Sequence, residues 1–401
     1  MEKQSPLFSI SFSDLYLRID REAIQLDQEI NSYYKPKKSF GVEAHPTLTL
    51  PPETIPEVAS LRKKVQALYE KDVARHKEGN LRLDEVGSFS FTFNGQRMRA
   101  CTLETVSPVT LDDDGRGQVW ACVRQLNSVC PTLTTIELPV VEKEVLKALH
   151  KRKGLILISG PTGAGKSTTG LALMENNMSV GEGTGLFFED PCEFIMQGEF
   201  KPGRSLILQN EVRSTEGWVD GARRALRFAP DYCYIGELRD PLAVAQVLRL
   251  AATGHQVVAT IHAGSIEQAI SSVLHITRSV LGDLAPQLLA DCLTAVFNQR
   301  FEGGKVGMTS LSVEDVLSDP VRVAIRDANL ATLKNVIESQ SNKREASATQ
   351  TMQRPRSPNP ATPSGQRPAR PEGLAPRRAP QPQQRQEPPK PKGFFGIMKK
   401  K

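Results

Sequence analysis

The chain has 401 residues, 39% of them hydrophobic and 24% charged, with a formal charge of +6, which is enough for two cored domains and a tail. The charge is uneven: the 59 residues from Lys343 hold 14 basic against 3 acidic side chains, a net +11, so residues 1–342 carry −5. A slightly acidic folded part argues against a globular nucleic-acid binder and confines any polyanion contact to the tail, and no apolar run approaches the roughly 18 residues that a membrane-crossing helix needs.

In chain order, the opening MEKQSPLFSISFSDL lacks the basic-then-apolar build of a signal peptide, and six cysteines are scattered without a C-x-x-C pair. Together these predict reduced thiols in a cytoplasmic protein. Residues 51–76 read as a proline-bounded entry to a helix with Val58, Leu61, Val65 and Leu68 along one side. The stretch SFSFTFNGQRMRACTLE, 88–104, alternates like a strand and is interrupted by an Asn94-Gly95 turn. Residues 1–145 are therefore expected to form a smaller α+β domain with its linker.

From 146 to 312 strand and helix alternate: strand 155–159, helix from Lys166, strand 185–189, helix 214–228, strand 232–236, helix 240–252, strand 256–261 and helix from Ser265. Such alternation predicts an α/β domain with a mostly parallel sheet. A helical segment, 313–342, closes the ordered part. The remainder, 343–401, holds 12 of the 28 prolines and few aliphatic residues before its last nine, so it is expected to be disordered. Its end, GFFGIMKKK, sets two phenylalanines beside three lysines, a composition suited to a docking peptide or an anionic membrane surface.

The chemistry begins at residue 160. Gly160-Pro161-Thr162-Gly163-Ala164-Gly165-Lys166-Ser167-Thr168 fits G-x-x-x-x-G-K-[ST] between a predicted strand and a predicted helix. Its glycines let backbone N–H groups face phosphate oxygens, Lys166 brings a point charge, and the Ser167 hydroxyl is a Mg²⁺ ligand. PDYCYIGELRD, 230–240, is an apolar strand ending at Glu237, placed to hold Mg²⁺ or its waters. GLFFEDPCEF, 185–194, brings Glu189, Asp190 and Glu193 to another strand end. Hydrolysis needs two such acids, one on the metal and one orienting water. In TGHQVVATIHAGS, His262 ends a strand where it can sense the γ-phosphate. His255 begins the same strand, so the two histidines lie too far apart for a zinc site.

These motifs, in this order, resemble the secretion and type IV pilus ATPase superfamily, in particular its retraction branch and its relatives in Dot/Icm-type secretion and conjugative transfer. The resemblance runs through GPTGAGKSTT (Walker A), FFEDPCEF (aspartate box), LQNEV, ALRFAPDYCYIGELRD (Walker B) and TGHQVVATIHAGS (histidine box), and covers about residues 10–340. It implies a RecA-like P-loop NTPase domain behind a PAS-like N-terminal domain. It also implies a homohexamer using ATP and Mg²⁺, recruited from the cytoplasm to the inner-membrane face of a secretion, transfer or pilus machine. By the same resemblance Arg99 and Arg124 are carried over as charge stabilisers at the phosphates, with Arg97 and Arg116 behind them. Two positions depart from the family pattern: Asn210, where it has Arg, and Asn127, where it has Pro. The tetracysteine zinc module of extension ATPases is also missing, which points to the retraction-like or Dot/Icm-like branch.

The residues leave two further readings. One is a nucleotide-binding switch or assembly subunit that hydrolyses little, which the pair Glu189 and Glu237 disfavours. The other is a kinase or DNA translocase, disfavoured by the acidic core and by the lack of an acceptor-substrate lid.

Overall fold

The computed structural model describes residues 6–10, 12–20, 23–24, 32–36, 48–81, 83–105, 118–126, 129–200 and 204–353. Arg116, Asn127 and the tail peptide GFFGIMKKK lie outside them. Among the described residues no helix is long and apolar enough to cross a membrane.

The N-terminal sheet is antiparallel throughout, in the order β3-β2-β1-β6-β5-β4. Its strands are β1 (Phe12–Arg18), β2 (Tyr33–Pro36), β3 (Leu48–Thr49), β4 (Ser88–Phe93), β5 (Gln96–Thr105) and β6 (Gln118–Gln125). Strict alternation gives β4 and β5 two unlike faces. Phe89, Phe93, Met98 and Ala100 are buried with Val58, Leu61 and Val65 of the helix Ile55–Lys77, while Ser90, Arg97 and Arg99 take the other face. Leu68 packs at the edge of that core. The Asn94-Gly95 turn read from the sequence is present, and both residues have positive φ, 45° and 77°, as a type I′ turn requires.

The second sheet runs β14-β13-β7-β12-β11-β8-β10-β9. It comprises β7 (Gly154–Gly160), β8 (Gly183–Glu189), β9 (Gly198–Phe200), β10 (Ser205–Glu211), β11 (Tyr232–Ile235), β12 (Gln256–His262), β13 (Leu293–Glu302) and β14 (Lys305–Ser312). The six inner strands are parallel, and β9 and β14 close the edges antiparallel. Helices cover both faces, so the central strands β7, β11 and β12 are buried on both sides nearly throughout, and β7 and β11 read as near-continuous apolar runs. Leu155 and Leu157 enter one core, and Ile156 and Ile158 enter the other.

Four expectations change. Leu133, Leu138 and the helix Val140–Ala148 pack into the core of the second sheet, so that domain begins before residue 146. The segment after 312 is part of the same domain, because Val313, Val321, Ile325 and Leu333 share its other core. The last helix, Leu333–Gln353, runs some ten residues past the expected onset of disorder at 343. Arg344 donates to the carbonyl of Ser310 at 3.0 Å and to Ser312 Oγ at 2.8 Å, and Gln340 exchanges hydrogen bonds with the backbone of Ser312. These side chains satisfy backbone groups of the edge strand β14 and so tie the helix down. Finally, the hairpin β13–β14 and the strands β9 and β10 were not anticipated.

Candidate active site

The phosphate loop leaves β7 at Gly160 and enters the helix Lys166–Val180. A side chain at Gly160 would run into the carbonyl oxygen of Gln299, 2.1 Å from where its Cβ would stand, and Gly163 and Gly165 have φ of 79° and 82°. At these points the loop tolerates only glycine. Gly165 caps the helix without a side-chain bond, which leaves first-turn N–H groups available to an anion.

Lys166 is 7% exposed, and burial lowers its pKa. Its Nζ donates to the carbonyls of Gly160 and Pro161, each at 3.0 Å, and lies 3.3 Å from His262 Nδ1. The other ring nitrogen of His262 is 3.2 Å from Glu237, which also pairs with Arg239. Because β12 lies between β7 and β11, His262 stands between the loop lysine and the Glu237 carboxylate.

The acids of β8 complete the cleft. Glu189, 2% exposed, accepts a 2.7 Å bond from Gln209 of β10, and burial pushes its carboxyl up to about 7. Burial also raises Glu193, opposed by its bond to Ser167 and by the charges of Arg99 and Lys166. Burial raises Asp190 in the same way, against the charges of Arg99 and Arg239.

The cleft gathers Thr162, Gly163, Gly165, Lys166, Ser167 and Thr168 with Glu189, Asp190, Glu193, Glu237, His262 and Arg99. Three members of the loop motif have supporting positions instead. Gly160 and Pro161 hold the lysine, and Ala164, 2% exposed, passes its carbonyl to Gln299. His255 sits at the far end of β12, where Nδ1 is 3.0 Å from the carbonyl of Leu250, a structural position.

The arginines part company. Arg99 lines the cleft, and Arg97 is tied to the carbonyl of Cys192 at 2.8 Å. Arg124 stands directly opposite Arg99 on the neighbouring strand, but its side chain is 61% exposed and paired with Asp14. It is therefore not a member of this cleft. Two like charges face to face across a ladder are unfavourable; Arg124 is paired with Asp14, while Arg99 lies near enough to Asp190 and Glu193 for its charge to oppose the rise of their pKa values.

Sequence reasoning missed Gln209, Gln299 and Arg239. The amides hold Glu189 and the loop, with Gln299 accepting from Thr169 at 2.8 Å. A buried amide in an otherwise apolar strand such as LTAVFNQ was the available signal.

Residues 82–304 match the type II/IV secretion system protein family. The twitching motility protein of Neisseria gonorrhoeae is 28% identical over 310 residues, 76% of this chain and 75% of that protein. The type IV pilus retraction ATPase PilT of Pseudomonas aeruginosa is 31% identical over 192 residues, 47% of this chain and 54% of that protein. Among solved structures, the crystal structure of the pilus retraction motor PilT with bound ADP superposes with a TM-score of 0.60 at 25% identity, over 83% of this chain and 87% of that one. With the matched region covering more than half of its length, the chain belongs to the type II/IV secretion system protein family, within the secretion and pilus ATPase superfamily.

Proposed function

We propose that the chain binds MgATP in the cleft between its two sheets and hydrolyses it, as one subunit of a homohexameric motor serving a secretion, transfer or retraction-type pilus machine. The observation that carries this reading is the meeting of Lys166, His262 and Glu237 in one hydrogen-bonded line facing Glu189 and Glu193 across the same cleft. A switch that only binds needs the loop; it does not need two acids on adjacent strands facing it.

The residues present fit both ligands. Uncapped N–H groups and Lys166 suit the phosphates, while Ser167, Glu193 and Glu237 offer the oxygen donors that Mg²⁺ prefers. A bound Mg²⁺ would neutralise charge on the phosphate oxygens. Lys166 would leave its carbonyl partners for the β- and γ-oxygens, and Arg99 would oppose the charge that develops as the terminal P–O bond breaks. Glu189, buried at the end of β8 and lining the cleft, would accept the proton of the attacking water, a task that the upward push of burial on its carboxyl suits. His262 links the lysine to Glu237 and would report whether the γ-phosphate is present. Recruitment from the cytoplasm to an inner-membrane machine rests on the named relatives.

Phosphate release by the purified chain, with Mg²⁺ and across the oligomeric states it adopts, tests the reading. Steady turnover is expected, and tight nucleotide binding with no turnover in any state would select the switch instead.

A further inference from the structure

Glu211 ends β10, two residues after the Gln209 that holds Glu189, and does not line the cleft. It is half-buried, and its carboxylate joins three segments. Both oxygens accept from Ser90 Oγ, at 2.6 and 2.7 Å; one is 3.5 Å from Arg97 Nη2, and the same oxygen accepts the N–H of Cys192 at 3.4 Å. Arg213 lies 3.9 Å away. Arg97 in turn fixes the other end of the Cys192 peptide by donating to its carbonyl.

What these contacts fix is the cleft. Ser90 is the cross-strand partner of Arg99, and Arg97 lies two residues before it on the same face of β5. Cys192 sits between Asp190 and Glu193. Glu211 is the cross-strand partner of Glu189 on β8, and the N–H of Val212 binds the Glu189 carbonyl at 2.7 Å.

We propose that Glu211 is a positioning residue that couples the two sheets, holding Arg99 and the Asp190–Glu193 acids at their places across the cleft. This rests on the ATPase reading for its consequence and on the contacts alone for its structure. Should the N-terminal sheet move relative to the ATPase sheet, these bonds break, and Arg99 withdraws as the acid loop is released.

The test uses the full-length chain. Glu211→Ala should lower kcat by roughly 10- to 100-fold, the scale of a misplaced catalytic group, while binding of a non-hydrolysable ATP analogue is retained. Arg97→Ala on top of Glu211→Ala should cost less than it does alone, since both act through one junction. Glu211→Gln keeps an acceptor for Ser90 and should recover part of the loss. Independently of turnover, hydrogen exchange should speed up in 88–101 and 190–194 together and not elsewhere.

Parent-like turnover and exchange in Glu211→Ala would overturn the proposal. So would strictly additive losses, or exchange raised along the whole chain. If the parent itself proves inactive, the ATPase reading fails, but the exchange result still decides the coupling. Ser90→Ala and Arg97→Lys provide the same readouts should Glu211→Ala not fold.

Discussion

The two sheets supply the cleft in opposite ways. The parallel sheet places Lys166, Glu189, Glu237 and His262 at the tips of β7, β8, β11 and β12, where strands that all point one way bring their ends to one edge. The antiparallel sheet has no such edge. Its one buried face leaves the other free, and from that free face of β5 it presents Arg99. Position along the strand therefore decides function in the parallel sheet. In the antiparallel sheet, the face decides, and after that the partner each arginine finds.

The largest effects should break the parallel sheet's contribution. Lys166→Ala removes the cation proposed to meet the phosphates, and turnover measured by phosphate release should fall by roughly 1,000-fold or more along with nucleotide binding. Glu237→Gln should keep binding and lower turnover by about 100- to 1,000-fold; unchanged turnover would remove Glu237 from the mechanism.

The antiparallel sheet is probed by its two facing arginines. Arg99→Ala should cost roughly 100-fold in kcat. Arg124→Ala removes the exposed partner of the buried Asp14 carboxylate, and should change the turnover of isolated subunits by no more than a few-fold. Equal losses would show that both arginines reach the phosphates.

Acid–base behaviour sharpens the contrast further. Burial raises Glu189 to about 7 from an unfolded value near 4.5, so the native state binds the extra proton. Its contribution to stability is complete below about pH 4.5 and is lost as pH rises through about 7. The loss is on the order of 3 kcal/mol. Melting temperature followed against pH should show this decline in the parent and less of it in Glu189→Gln.

The smallest effect concerns the C-terminal helix. Removing 354–401 should leave both melting temperature and turnover near the parent's. Cutting after 342 also removes Arg344 and its bonds to β14, and should lower Tm by about 2–4 °C.

Much of this was legible in the chain because it is local. The turn from Gly160 to Ser167 dictates its own conformation, since glycine alone accepts the φ values and the close approach of Gln299. Runs buried on two faces announced β7, β11 and β12, and the Asn94-Gly95 turn announced a hairpin. The hairpin β13–β14 carried a comparable signal in Gly303-Gly304, both at positive φ, and was overlooked because its first strand reads as a continuation of the preceding helix.

Other features required the assembled fold. Arg99 and Arg124 look alike in sequence and face each other across a ladder, yet one enters the cleft and the other is held by Asp14, 110 residues away. Glu211 meets Ser90 at a separation of 121 residues. Sequence by itself determined which backbone could cradle a phosphate and which strands would be buried, because steric and hydrophobic preferences act within a few residues. Only the tertiary structure decided which charges meet, because electrostatic partners are chosen by distance in space, and chain order does not encode that distance.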